Sequence, residues 1–158
     1  MSNTIAVIDY GMGNLRSVSK ALEHVAPDAD VQVTSDPEVV QRAERVVFPG
    51  QGAMPDCMRE MDARGLRPAV LEAARAKPFL GICIGLQMLF ERSEEGDTPG
   101  LGVFPGSVRL FPREAMKDVH DGRLKVPHMG WNEVIQAKQH ALWRGIADAN
   151  RYYFVHSY

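Results

Sequence analysis

The residues of this 158-residue chain whose types and spacing could do chemistry cluster in one stretch, Pro78-Phe79-Leu80-Gly81-Ile82-Cys83-Ile84-Gly85-Leu86-Gln87-Met88-Leu89-Phe90. An apolar strand runs directly into a helix, with a Gly-x-Cys-x-Gly pentapeptide at the junction. Flanking glycines permit the tight strand-to-helix turn that thrusts a nucleophile out at the carboxyl edge of a sheet, as Gly-x-Ser-x-Gly does for serine. Cys83 would occupy the exposed apex. At a helix N-terminus its thiolate gains from free N–H groups and the helix dipole, which lowers its pKa and raises the reactive fraction near neutral pH. The same residues also read as a buried cysteine ending a core strand. A second strand ends in a glycine-rich turn at Phe48-Pro49-Gly50-Gln51-Gly52-Ala53. Its backbone N–H groups, at Gln51 and Gly52, can join that of Ile84 to form an oxyanion hole for acyl transfer. Taken alone, that turn reads as an ordinary strand-to-helix loop.

These turns need a sheet to hold them, and the pattern of the chain predicts one. Short β-rich runs at residues 4–9, 31–35, 45–48 and 78–83 alternate with helical patterns, which argues for an open, mostly parallel sheet with helices on both faces. Leu15, Val18, Leu22 and Val25 recur at helical spacing after Asn14, a suitable cap, so their stripe should lie on the sheet. A second helical region covers residues 53–77, broken near Gly65 and Pro68. Leu66, Val70, Leu71 and Ala74 share a face of its latter half, and Met54, Met58 and Met61 pack beneath its first half. Cys57 reads as a packing residue. After Pro99 glycine and proline punctuate short β-like pieces, with further strands expected at residues 131–135 and 152–155.

Composition narrows the function classes. Hydrophobic residues make up 45% of the chain and charged residues 24%, an ordinary globular balance, and no repeat or linker divides residues 1–158, so one domain is the economical reading. A formal charge of -2 leaves no electrostatic footprint for nucleic acid or an anionic membrane. The apolar runs are far too short to span a bilayer, and the N-terminus shows no basic flank of a secretory signal, so a cytoplasmic protein is expected. The two cysteines, Cys57 and Cys83, lack metal-ligand spacing and are expected as free thiols. No metal or other cofactor is called for. Arg109, Arg113, Lys117, Arg123 and Lys125 form a locally basic segment, but Glu114, Asp118 and Asp121 interleave it, so it reads as a solvated loop rather than a partner site.

Through the Gly81-to-Gln87 elbow and the Pro49-Gly50-Gln51-Gly52 turn, the chain resembles the class I, or triad, glutamine amidotransferases over all 158 residues. Within them it is most similar to the glutaminase subunits of imidazole glycerol phosphate synthases. Three stretches carry that finer likeness: Ala6-Val7-Ile8-Asp9-Tyr10-Gly11-Met12-Gly13-Asn14-Leu15, Val126-Pro127-His128-Met129-Gly130-Trp131-Asn132 and Tyr153-Phe154-Val155-His156-Ser157-Tyr158. The resemblance implies hydrolysis of glutamine at Cys83 and delivery of ammonia to a separate cyclase subunit in histidine biosynthesis, within a heterodimer. It implies that glutamine is bound by Gly50, Gln87 and Glu95 and by backbone groups of His156, Ser157 and Tyr158. A carboxylate such as Glu95 suits the α-ammonium group of glutamine, and N–H groups suit its α-carboxylate. On residue type alone Glu95 reads as a solvated acid among its acidic neighbours.

One departure from the family pattern matters. Cysteine chemistry of this kind needs a base and a group to orient it, which the family supplies from a His-Pro-Glu motif. This sequence holds none. Its histidines are His24, His120, His128, His140 and His156, and none is followed two residues later by a carboxylate. His24 and His140 read as surface residues and His120 as part of a polar loop. His128 reads as structural or interfacial, and His156 as a substrate-side residue, with reach to the thiol as the alternative. The expectation is therefore a domain incomplete at its C-terminus, with negligible glutaminase activity as a 158-residue chain and apolar sheet surface uncovered. Two other readings stay open: a catalytically dead module that binds the cyclase, and a cysteine hydrolase of a related fold. Trp131 and Tyr153 are core or interface anchors.

Overall fold

The computed structural model describes residues 3–112 and 125–158. They form two compact units, Met1–Arg109 and Leu110–Tyr158. Of the residues discussed above, Arg113, Glu114, Lys117, Asp118, His120, Asp121 and Arg123 lie outside the described ones.

The first unit is built on four parallel strands, β1 (Thr4–Ile8), β2 (Asp30–Thr34), β3 (Arg45–Gly50) and β4 (Phe79–Cys83), in the order β2-β1-β3-β4. The four runs read from the sequence are these four strands. Alternation along them divides the core in two. Ile5, Val7 and Val47 face helix α1 (Leu15–Val25), where Leu15, Val18 and Leu22 cover them. Ala6, Ile8, Val46 and Phe48 face the opposite layer, formed by α2 (Pro37–Arg42), α3 (Met54–Ala63) and α4 (Arg67–Ala76). Asn14 caps α1 by accepting from the Ser17 N–H at 3.3 Å, as expected. Val25 does not complete the stripe: it is 74% exposed at the last turn, and Ala26 packs against the sheet in its place.

Met54, Cys57, Met58 and Met61 are the buried face of α3, while Ala69, Val70 and Ala73 are buried on α4 beside Leu66. Gly65, at φ +65°, separates the two helices and Pro68 stands in the first turn of the second. The pattern between β2 and β3 hides a short helix, α2, whose signal is local. Asp36 accepts from the Glu38 N–H at 2.9 Å and Pro37 opens the first turn.

The helix after β4 is shorter than the sequence suggests. It is the single turn α5 (Ile84–Gln87), after which the chain extends again as β5 (Phe90–Ser93). That strand pairs antiparallel with β6 (Thr98–Pro99) and parallel with β7 (Phe104–Val108). Met88 and Leu89 are buried in the core of the main sheet and Phe90 turns away to meet the Phe104 ring at 5.9 Å. An apolar run that could have continued a helix is used instead to dock a turn and start a second sheet.

The second unit contains an antiparallel ribbon of β8 (His128–Val134) and β9 (Asn150–His156), which includes both strands expected there. Its register sets His128 opposite His156 and Trp131 opposite Tyr153.

Candidate active site

Cys83 is the last residue of β4 and the only one of that strand with positive φ (φ 56°, ψ −120°). A side chain in that region costs on the order of 1–3 kcal/mol and persists only where its surroundings impose it. The surroundings here are glycines. A Cβ on Gly85 would lie 1.8 Å from the Phe48 carbonyl oxygen, and one on Gly81 would lie 2.7 Å from Leu86 Cα. The elbow therefore rests on bare backbone, and Cys83 is driven outward at the carboxyl edge of the sheet, where its thiol is exposed and free. The expected apex is present; the buried-cysteine reading is not what this structure adopts. Because α5 is a single turn, the groups it presents to Cys83 are its unpaired first-turn N–H groups, beginning with Ile84, rather than the dipole of a long helix.

The Pro49-Gly50-Gln51-Gly52 turn stands beside this elbow. Gly50 and Cys83 are register partners at the ends of adjacent strands. A Cβ on Gly50 would meet Gly85 N at 2.6 Å, the Tyr10 hydroxyl at 2.7 Å and Ile84 Cβ at 2.9 Å, so the turn and the elbow touch through backbone. Gly52 sits at φ +109°, and Gln51 and Gly52 are exposed. The loop after β1 closes against the same edge, since a Cβ on Gly13 would lie 3.7 Å from Gly50 N. Strand β1 and strand β3 are also where the order of the sheet reverses, the position at which open parallel sheets bind ligands.

Gln87 ends α5, and its side-chain oxygen is buried without a hydrogen-bond partner among the described residues. Glu95 belongs to a 3₁₀ turn (Glu95–Asp97) and is half-buried, with Oε2 accepting from the Met54 N–H at 2.9 Å. It is therefore not the solvated acid its neighbours suggested. The first unit thus brings together Cys83, Gly50, Gln51, Gly52, Ile84 and Gln87 around adjoining strand ends, with Glu95 bonded to the helix that follows the turn.

His156, Ser157 and Tyr158 belong to the second unit. The His156 ring lies 3.3 Å from that of His128, nitrogen to nitrogen, and its Nδ1 is 3.1 Å from the Tyr158 carbonyl. The Ser157 carbonyl accepts from the Phe111 N–H at 3.0 Å. His128 also stacks on Phe154, with centroids 5.5 Å apart. His140 lies at the surface, where it caps the short turn Ala141–Trp143. His24 is the first unit's histidine, exposed in the last turn of α1 at the amino edge of the sheet, across the strands from Cys83.

Comparison with known proteins gives the family of the chain. The family model described as glutamine amidotransferase class-I matches residues 6–158. The chain belongs to the class-I glutamine amidotransferases. Imidazole glycerol phosphate synthase subunit HisH of Dechloromonas aromatica (strain RCB) is 74% identical over 155 residues, covering 98% of this chain and 72% of that protein. The HisH subunit of Thiobacillus denitrificans (strain ATCC 25259 / T1) is 68% identical over 158 residues, covering the whole of this chain and 69% of that protein. A solved glutamine amidotransferase shares the fold with a TM-score of 0.55 at 19% identity, over 72% of this chain and 61% of that one.

Two features of this candidate site escaped the sequence reading. Beneath the turn lie Tyr10 and Cys57, both fully buried. Cys57 Sγ is 3.5 Å from the Gln51 carbonyl and donates to it. Burial pushes the Cys57 thiol up, against the lowering effect of its contacts with Tyr10 and Gln51. The Tyr10 hydroxyl faces that thiol in a contact too loose for an ordinary hydrogen bond, and burial, with the sulfur beside it, pushes its ionisation far above the normal range. The other feature is the Glu95 bond to Met54. A signal for it existed: Ala53 occupies the cap position of α3 and offers no side-chain acceptor, so the helix needed one from elsewhere.

Proposed function

We propose that this chain is the glutaminase half of an imidazole glycerol phosphate synthase. In this reading the Cys83 thiolate attacks the side-chain carboxamide carbon of glutamine, and the carbonyl electrons move to oxygen. N–H groups of the Gln51–Gly52 turn and of Ile84 stabilise the oxyanion. Collapse breaks the C–N bond as the amide nitrogen takes up the proton that the Cys83 thiol gave up and leaves as ammonia, and water hydrolyses the thioester to glutamate and the free thiol. Gly50 and Gln87 contact the substrate and Glu95 takes its α-ammonium group. The ammonia passes to a cyclase subunit, held in a heterodimer.

The observation that carries this reading is the pairing of Gly50 with a strained, exposed Cys83 across adjacent strand ends. The unpartnered, buried oxygen of Gln87 supports a polar ligand there, because such an atom is costly unless something binds it. The exposed strip of Met129, Trp131, Tyr153 and Val155 on one face of the β8–β9 ribbon supports a protein partner. Two free thiols suit a reducing cytoplasm. No helix among the described residues is long and apolar enough to cross a membrane.

The test is labelling of Cys83 by a glutamine analogue with an electrophilic side chain, mapped by peptide mass, with protection by glutamine. Absence of protected labelling overturns the assignment of Cys83. A second reading, a cyclase-binding module without turnover, is favoured by one observation: the first unit's histidine, His24, sits at the far edge of the sheet. With no His-Pro-Glu motif in its sequence, the 158-residue chain is expected to release ammonia roughly 10⁴-fold more slowly than a relative holding the whole triad. Comparable turnover, with or without the cyclase, would rule that out.

A further inference from the structure

Helix α3 starts immediately after the oxyanion turn, so whatever fixes its first turn also fixes the direction of the N–H groups before it. Ala53 supplies no side-chain cap. The Met54 N–H donates instead to Glu95 Oε2 at 2.9 Å, from a residue 41 positions along the chain. Glu95 is held in turn. Its N–H donates to Ser93 Oγ at 3.1 Å, and its carbonyl accepts from the Thr98 hydroxyl at 2.7 Å. Ser93 and Thr98 are buried, so the 3₁₀ turn that carries Glu95 is fixed by its own polar contacts. At the other end of the oxyanion turn, Cys57 holds the Gln51 carbonyl from below. The peptides between these two attachments include the Gly52 N–H, one of the groups assigned to the oxyanion.

We propose that Glu95 is a positioning residue: by capping α3 it sets the orientation of the oxyanion turn, a role separate from any contact of its carboxylate with the substrate's ammonium group. The proposal rests on the reading of Gln51 and Gly52 as oxyanion donors. The role depends on reach and acceptor geometry, not on charge. Glu95→Gln keeps both and removes the charge; Glu95→Asp keeps the charge and withdraws the acceptor by one methylene.

The test compares these variants with the parent 158-residue chain in two measurements. Amide hydrogen exchange over residues 54–57 is expected to quicken about tenfold in Glu95→Asp and to stay near the parent in Glu95→Gln, the size of effect a lost N-cap produces. Cys83 reactivity is then measured with two small probes that carry no ammonium group. Acylation by p-nitrophenyl acetate forms a thioester, expels p-nitrophenolate and passes through an oxyanion; alkylation by iodoacetamide displaces iodide and does not. Acylation is expected to slow about tenfold in Glu95→Asp alone, with alkylation unchanged in both variants. Equal behaviour of the two variants in either the exchange or the acylation measurement overturns the proposal. If the parent's Cys83 is alkylated readily yet acylated no faster than a free thiol, the oxyanion reading fails and the proposal falls with it; if the parent is acylated faster than a free thiol but the two variants exchange alike, the proposal alone fails.

Discussion

At the scale of single residues, chemistry here is bound to strain. Cys83 is exposed, buries little on folding, and occupies a backbone region that glycine prefers. Cys83→Gly should therefore raise the unfolding free energy read from denaturant titration by about 1 kcal/mol, while abolishing labelling; a fall in stability would mean that the conformation is not strained. Gly85 has the opposite constraint. Gly85→Ala drives a methyl group onto the Phe48 carbonyl, and a cost of about 3 kcal/mol or more is expected in thermal or denaturant unfolding. Tyr10 links burial to pH. Its folded pKa lies above the ordinary value of 10.0, so the neutral form stabilises the fold fully below pH 10 and that contribution is lost as pH rises beyond it, where the unfolded chain ionises first. Tyr10→Phe removes a buried hydroxyl with no well-formed bond. It should change stability near pH 7 by less than about 0.5 kcal/mol and flatten the decline above pH 10, measured as urea midpoints across pH.

At the scale of elements, each helix is short and depends on what happens at its ends. Helix α2 has six residues and could not stand alone. Asp36 and Pro37 start it, and at its other end Lys77 Nζ donates to the carbonyls of Val40, Gln41 and Ala43 at 3.3, 2.6 and 2.8 Å. Charged donors to such carbonyls stabilise by roughly 1.5–3 kcal/mol, so Lys77→Met is expected to lower stability by about 2 kcal/mol, read from chemical unfolding; a neutral result would show that water replaces the ammonium group there. The signal that starts α2, Asp36-Pro37, is local, but the sequence reading passed over it. The Lys77 contact was not legible, because its partners lie 34–37 residues away. The same holds for α3, whose missing local cap could be read at Ala53 but whose partner, Glu95, could not. The apolar run after the elbow shows the reverse failure. Met88 and Leu89 fit a continuing helix, but their burial in the core ends α5 after one turn.

At the scale of the whole molecule, layer coverage decides what is exposed. The face of the sheet that α1 covers carries Ile5, Val7 and Val47 over β1 and β3. Register extends that face to Leu80 and Ile82 on β4, the edge strand of this sheet, where they are 47% and 37% exposed. Apolar side chains on an open edge invite association. Leu80→Lys is expected to raise the concentration at which light scattering appears, with a change in stability within about 0.5 kcal/mol; unchanged scattering would show that this edge does not drive association. The sequence by itself determined the strand and helix alternation, the α1 cap, the Gly-x-Cys-x-Gly elbow and the glycine turn, because each is a short-range pattern whose physics is written in neighbouring residues. It misread Val25, since periodicity cannot say where a sheet beneath a helix ends. Only the tertiary structure decided that Gly50 stands beside Cys83, that Tyr10 and Cys57 underlie the turn, and that Glu95 holds a helix rather than facing water. Those relations join residues far apart in the chain, and parallel pairing with backbone-close packing, rather than any local preference, creates them.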